Sequence, residues 1–280
     1  MFYRIKKWLS TPARYTAMGM VMFFSLGPLY WTFTTSLKPM GAEYKLPIEL
    51  WPSEVTFQAY REVVTELDFL INIRNSFIVS SVVTVVSVIL AGLSAYAIAR
   101  LRFKYKVQSL LFLQLGGMIP PVVTIAPTFT ILRSMGLLRT LPGLIVPMII
   151  YNVPLGTWLL ASYFANLPFE LDDAAKVDGY RPFQIFYKVI LPIASPGLFS
   201  AGVFAFIFSW GQFILANTVF MGVSEIQTVP VAIQNFSANF RTQWTWISAG
   251  IILSLIPIIL LVIIFQRWVI RGMTAGAVKH

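Results

Sequence analysis

Six stretches of this chain, residues 15–37, 76–99, 107–132, 143–165, 195–221 and 247–265, contain no Lys, Arg, Asp or Glu. A hydrocarbon core about 30 Å thick takes about 20 helical residues to cross. Lipid offers no partner to a backbone N–H or C=O, so each crossing run must close its own hydrogen bonds as a helix. An ionised side chain at the middle of such a helix costs about 2.5–3.5 kcal/mol, which explains why every charge sits at a run's end or in a connection. The pattern predicts an all-α integral membrane protein with six transmembrane helices. Composition agrees: 57% of the residues are hydrophobic and 11% charged, against about 25% charged in a soluble domain. The net charge of +10 does not point to nucleic acid, because the basic residues are divided among the connections. The chain has no Cys, which excludes disulfide and thiolate chemistry, and its only His is the last residue, His280, to which we assign no metal or acid–base role.

The distribution of charge gives an orientation. With the N-terminus inside, 14 of the 21 Lys and Arg residues fall on the inner side, including Arg100, Arg102, Lys104 and Lys106 in one short connection with no acid among them. The outer loop 38–75 carries four basic and six acidic residues. By the positive-inside rule both termini are cytoplasmic. Residues 1–14 form an N-terminal cytoplasmic segment, 15–269 the membrane domain and 270–280 a cytoplasmic tail. The basic start ahead of an apolar run has the look of a secretory signal, but the run is long and lacks an A-x-A-like cleavage site, so it is expected to be retained as the first span. The loop 38–75 is too polar to cross and is expected to hold a short amphipathic segment.

The longest inner connection, 166–194, predicts two short helices joined by a turn. Pro168 suits a first helical position, and Glu170, Asp172 and Asp173 complement the positive end of a helix dipole. Gly179 can adopt the left-handed conformation that ends a helix; Pro182 then opens a second helix, and Pro192 is expected to stop it before the fifth span. Leu167, Leu171, Ala174 and Ala175 recur at helical spacing. This small-residue ridge fits either close docking by another protein or packing on the chain's own spans.

The register of this connection, Asp173-Ala174-Ala175, then Gly179, then Val189-Ile190-Leu191-Pro192, resembles the E-A-A-x3-G-x9-I-x-L-P loop of binding-protein-dependent ABC importer permeases. Asp173 stands where Glu is usual and Val189 where Ile is usual. The end of the chain, Arg271-Gly-Met-Thr-Ala-Gly-Ala-Val-Lys279, is similar to the tail of carbohydrate-importer permeases of the maltose type. The resemblance implies a type I ABC importer permease fold, with 167–192 as a cytoplasmic coupling helix pair that seats in a cleft of the ATPase subunit. It assigns ATPase coupling to Glu170, Asp173, Ala174, Ala175, Gly179, Leu191 and Pro192. It implies as partners a second homologous permease, two ABC ATPase subunits and an extracytoplasmic substrate-binding protein, in the inner membrane of a prokaryotic cell. The substrate implied is a carbohydrate: a di- or oligosaccharide, or a sugar derivative such as a glycerophosphate. The tail is either close to the ATPases or a free polar terminus. The chain has no Gly-Lys dipeptide and so no phosphate-cradling G-x-x-x-x-G-K-[ST] loop; it is not expected to be an enzyme, and ATP and Mg would be bound by the partner ATPases.

A pathway for sugars calls for aromatic faces and neutral hydrogen-bonding groups. Asn152, between Pro147 and Pro154, and Trp210, Gln212 and Asn217 in the fifth span supply both, although interhelical packing accounts for them equally well. Prolines at 147 and 154, and Gly116, Gly117, Pro120 and Pro121 in the third span, are expected to kink their helices. Asn235, Asn239 and Gln243, in the outer loop 222–245, are candidates for contact with the substrate-binding protein, and Trp244 and Trp246 are read as interfacial anchors. A secondary transporter would normally carry ionisable residues within its spans, and these spans carry none. A channel subunit for a small polar solute is not excluded by that argument, but it leaves the 166–194 connection without a role.

Overall fold

The computed structural model describes residues 2–236 and 242–275, with side chains over 13–236 and 242–268; Asn239 and the last five residues lie outside the described set. The long elements are α1 (Phe2–Ser36), α3 (Phe69–Arg100), α6 (Leu141–Ala165), α10 (Ser195–Trp210) and α13 (Trp244–Ala275). Between them lie α2 (Gln58–Thr65), α4 (Lys106–Met118), α5 (Pro121–Ser134), α7 (Glu170–Val177), α8 (Pro182–Ile185), α9 (Leu191–Ile193), α11 (Ile214–Val219) and α12 (Val229–Asn235). Among the described residues three helices are long and apolar enough to cross a membrane singly, and up to five spans result if each of two bent pairs counts as one. The predicted first span lies within α1 and is not among those five; it is punctuated by Ser25, Gly27, Pro28, Thr32 and Thr34–Thr35. The chain divides into two compact units, Met1–Phe69 with Ile233–Leu255, and Leu70–Ala232 with Ile256–His280.

In the first unit the loop after α1 folds on its own polar groups. Lys38, 4% exposed, donates to the Glu49 carbonyl at 2.9 Å and lies 4.6 Å from the Trp31 ring centre. Helix α2 buries Ala59 and Val63 on one face, the amphipathic segment expected here. Its Glu62 accepts the indole N–H of Trp246 at 2.6 Å, so Trp246 tethers this loop.

The second unit holds the bends. The third span is two helices, α4 and α5, at 90°. Ile119 and Pro120 each precede a proline, which disfavours the α conformation, and both are extended, with ψ of 119° and 131°. The expected kink in the fourth span is different: α6 runs as one helix through Pro147 and Pro154. The fifth span departs most from expectation. A bend of 80° separates Pro182–Ile193 from Ser195–Trp210, and the predicted run 195–221 is not one helix, since it ends at Trp210 and resumes as α11 after Gly211. Pro192 does not end the second helix of the 166–194 connection either. A π-helical stretch, Phe186–Ile190, leads into it, and because i→i+5 bonding shifts the ladder by one residue, the chain continues through Pro192 to Ala194.

Two apolar clusters make the core of this unit. One gathers Tyr96, Leu160, Phe164, Ile185, Phe186 and Ile190; the other gathers Val79, Val83, Leu144, Met148, Leu215 and Phe220. Close helix approach depends on missing side chains, as expected where lipid supplies no hydrophobic drive and packing must. A Cβ on Gly117 would stand 2.9 Å from Cβ of Pro154, whereas one on Gly116 would meet no described atom within 4 Å. Gly117→Leu should therefore lower stability by about 1–3 kcal/mol through overpacking, and Gly116→Leu should not. Thermal unfolding of the two purified variants in mild detergent checks the contrast.

Candidate functional site

The connection 166–194 forms a compact elbow at the end of the second unit where α3 and α6 finish. Helix α7 starts after Pro168, with Glu170, Asp172 and Asp173 in its first turn. It ends in a Schellman closure: the Tyr180 N–H bonds the Ala175 carbonyl at 3.0 Å and the Gly179 N–H bonds that of Lys176 at 3.0 Å. This closure requires a left-handed residue at Gly179, whose φ is +80°. The next helix starts at Pro182, with the Gln184 side chain accepting the Arg181 backbone N–H at 2.8 Å, one half of a capping box.

Alternate positions of α7 face opposite ways. Asp172 and Ala175, three apart and so on one face, are 6% and 4% exposed. Ala175 packs with Ile185, Phe186 and Ile190, and Leu167, Tyr180 and Leu191 lean on the same cluster. The small-residue ridge is thus split. Ala175 seats the helix on its own chain, while Ala174, Glu170 and Asp173 are exposed, as are Gly179 and Pro192. Lys176 donates to Asp173 at 2.8 Å, and this hydrogen bond and charge hold the Asp173 carboxyl below its ordinary range. The turn and its flanks carry exposed apolar side chains, Val177 at 88% and Phe183 at 64%, and the exposed charged residues Asp173, Lys176, Asp178 and Arg181.

What fixes the elbow to the bundle is a residue that charge counting treated only as an orientation marker. Arg100, the last residue of α3, donates through Nη1 to the carbonyls of Leu167 (2.7 Å) and Phe164 (3.3 Å), and through Nη2 to that of Pro168 (2.7 Å). Nη2 also pairs with the Asp172 carboxylate, and the guanidinium carbon lies 4.2 Å from the centre of the Phe169 ring. The Arg100 side chain has no exposed surface. Helical spacing held the signal that was missed: of the adjacent acids, Asp172 shares its face with Ala175, and Arg100, which ends α3, is within reach of that face.

The candidate pathway residues divide. Asn152 is 7% exposed, and its amide donates to its own helix at Met148 O (2.8 Å) and weakly to Ser209 Oγ of α10 (3.4 Å). Trp210 is buried and stacked on Phe206, with ring centres 5.6 Å apart. Gln212 is half-buried in the break after α10, and Asn217 is exposed on α11. Beside them, the bend between α4 and α5 opens a 290 Å³ cavity lined by Gln114, Gly117, Met118, Tyr151, Leu155 and Phe208, among others. Gln114 reaches across it to the Pro154 carbonyl at 2.9 Å, and the Tyr151 hydroxyl bonds Thr124. Of the residues proposed to contact the substrate-binding protein, Asn235 ends α12 with its side chain exposed, and Gln243 is half-buried.

A family model described as "Binding-protein-dependent transport system inner membrane component" matches residues 84–275. The trehalose transport system permease protein SugB of Mycobacterium tuberculosis is 40% identical over 262 residues, covering 93% of this chain and 94% of that protein. The sulfoquinovosyl glycerol transport system permease protein SmoH of Agrobacterium fabrum is 33% identical over 268 residues, covering 96% and 94%. Among solved structures, a chain of a bacterial ABC transporter involved in the import of the acidic polysaccharide alginate matches with a TM-score of 0.76 at 21% identity, covering 94% of this chain and 97% of that one; the fold is shared.

The two neighbouring acids of α7 should respond differently to replacement. Asp172→Ala leaves the Arg100 charge buried without its counter-ion and should cost about 3 kcal/mol. Asp173→Ala removes a solvent-exposed pair and should leave the unfolding temperature unchanged. Tryptophan-fluorescence melts of both variants in detergent measure the difference.

Proposed function

This chain belongs to the binding-protein-dependent transport system inner membrane component family, and we propose that it forms half of the translocation pathway of an ATP-driven carbohydrate importer. The single observation that carries the coupling role is the two-sided build of the elbow. One face is locked to α3 and α6 by Arg100, Asp172 and Ala175, and the exposed side presents Val177 and Phe183 together with the charges of Asp173, Lys176, Asp178 and Arg181. Exposed apolar side chains beside charged ones are the make-up of a docking surface. In this reading two ABC ATPase subunits bind ATP and Mg, and the elbow of this chain seats on one of them with both termini on the same cytoplasmic side. A second, homologous permease completes the channel, and a substrate-binding protein delivers solute on the outer side, where Asn235, Asn239 and Gln243 are proposed contacts.

Carbohydrate is the substrate class because the two relatives that cover nearly all of this chain are named for trehalose and sulfoquinovosyl glycerol transport. The spans agree with that chemistry, offering hydroxyls, amides and aromatic rings but no ionisable acid or base to hold a charged solute. The cavity at the α4–α5 bend adds Tyr151 and Gln114 to the proposed pathway, alongside Asn152, Trp210, Gln212 and Asn217. Closure of the ATPases would move the elbow as a rigid body and tilt the spans attached to it, and ATP can drive this only if it favours one of the two arrangements.

Gly179 gives the test. A Cβ there meets no described atom within 4 Å, so Gly179→Val should not clash, but it forces a β-branched residue into the left-handed region at about 1–2 kcal/mol. In proteoliposomes carrying the whole complex and its substrate-binding protein, wild type should accumulate labelled trehalose only with ATP. Gly179→Val should insert normally and lower uptake about tenfold, the equivalent of about 1.4 kcal/mol. Wild-type uptake that does not need ATP would overturn the importer reading, and undiminished uptake by the variant would overturn the role given to this elbow.

A further inference from the structure

We infer that Arg100 is the positioning residue of energy coupling, the single group that makes the elbow and two spans move as one body. The inference rests on the importer reading above and goes beyond it, because the docking face does not include Arg100, which lies on the opposite side of α7.

The argument is one of geometry. Arg100 is the last residue of α3. Three of its contacts are carbonyls at and just beyond the end of α6, Phe164, Leu167 and Pro168, and the fourth is the Asp172 carboxylate in the first turn of α7. One guanidinium therefore satisfies the carbonyl end of α6, where a cation is favoured by the helix dipole, and also a carboxylate of the helix that follows. The turn between α6 and α7 is closed around it, with the Phe169 ring against its face. Only Nε is left without a partner among the described residues. No other side chain type can make this set of contacts. The planar fork of Arg presents donors in several directions at once, whereas the ammonium of Lys is a compact point charge on a flexible stem.

The consequence is mechanical. A displacement of α7 cannot be absorbed by rotation about 165–169 without breaking several charge-assisted hydrogen bonds at a site with no exposed surface, where stranded partners are costly. It is transmitted to α3 and α6 instead. On the other arm, α8 passes its motion through the π-helical stretch and the 80° bend into α10, and no equivalent cation ties that arm among the described residues.

The test uses the complete complex with its substrate-binding protein in proteoliposomes and reads trehalose accumulated per ATP hydrolysed, at equal amounts of assembled complex. Arg100→Lys keeps the positive charge that orients the protein but cannot hold the four contacts together. It should retain ATP hydrolysis and ATPase subunits while the uptake-to-hydrolysis ratio falls at least about fivefold, the lower end of ordinary coupling energies. Arg102→Lys, at the exposed neighbouring basic position, should leave the ratio at the wild-type value. Asp172→Asn should lower the ratio, and the double variant Arg100→Lys, Asp172→Asn should be no worse than the poorer single one, because both break the same contact. A wild-type ratio in Arg100→Lys overturns the inference. So does loss of the ATPase subunits from that variant on co-purification, which would make Arg100 a folding residue only. Absence of ATP-dependent uptake by the wild-type complex is a separate result and would sink the importer reading itself.

Discussion

A guanidinium with no exposed surface, placed where three helices meet, is the interaction on which the shape of this molecule's working end depends. Burying a cation is costly, by several kcal/mol per ion after relaxation, and the cost is tolerable here because Arg100 finds three carbonyls, a carboxylate and an aromatic face. Those partners come from a stretch of nine residues, 164–172, that would otherwise be a helix end, a loop and a new helix start. The Phe164 carbonyl in the last turn of α6 and the Leu167 and Pro168 carbonyls just beyond it accept from the same group that neutralises Asp172. The elbow is therefore specified by α3, an element more than sixty positions away in the sequence.

The other end of the same helix is pinned by different chemistry. Asn72 and Asn75, at the start of α3, donate to the carbonyls of Gln227 and Glu225 at 3.0 Å, and Ser76 Oγ accepts the Val229 N–H at 2.8 Å. These are neutral contacts to backbone, and they hold the segment leading into α12. Helix α3 thus carries amide and hydroxyl groups together with Arg74 at one end and the buried Arg100 at the other, with an uncharged stretch between them. The division follows from the solvent: groups at a span's ends can be polar, and the middle cannot afford a charge.

Much of this was legible in the sequence, and for a physical reason. Exclusion of charge from lipid marks spans residue by residue, and a left-handed glycine flanked by acids and prolines marks a helix–turn–helix, so α3, α6, α13 and the α7–α8 elbow lie close to where pattern places them. What sequence left undetermined depends on contacts distant along the chain. Pro147 and Pro154 lie within a helix that continues, whereas Ile119-Pro120-Pro121 breaks one, because only in the second case are consecutive residues both forced out of the α region. Periodicity placed Ala174 and Ala175 on one ridge, yet Ala174 is exposed and Ala175 buried, and only the cluster around Ile185 and Phe186 decides which is inside. Arg100 was counted as one of four inner charges; its burial needs Asp172 and the α6 carbonyls in view together.

The bends and the absence of charge in the spans belong to the same account. The six apolar runs carry no Lys, Arg, Asp, Glu or His, the groups through which spans usually couple to a proton gradient, and in the importer reading conformational free energy enters at the ends. Entry there is useful only if the entry point is stiffer than the spans it moves. The elbow meets that condition through an ion pair, a Schellman closure and an apolar cluster, while the chain is interrupted at Met118–Pro121 and at Ala194, and Gln114 and Tyr151 line a cavity at the first of these breaks. Stiffness at the edge and interruption within are complementary: the first delivers displacement, and the second gives the displaced segments places at which to change angle without unfolding a helix.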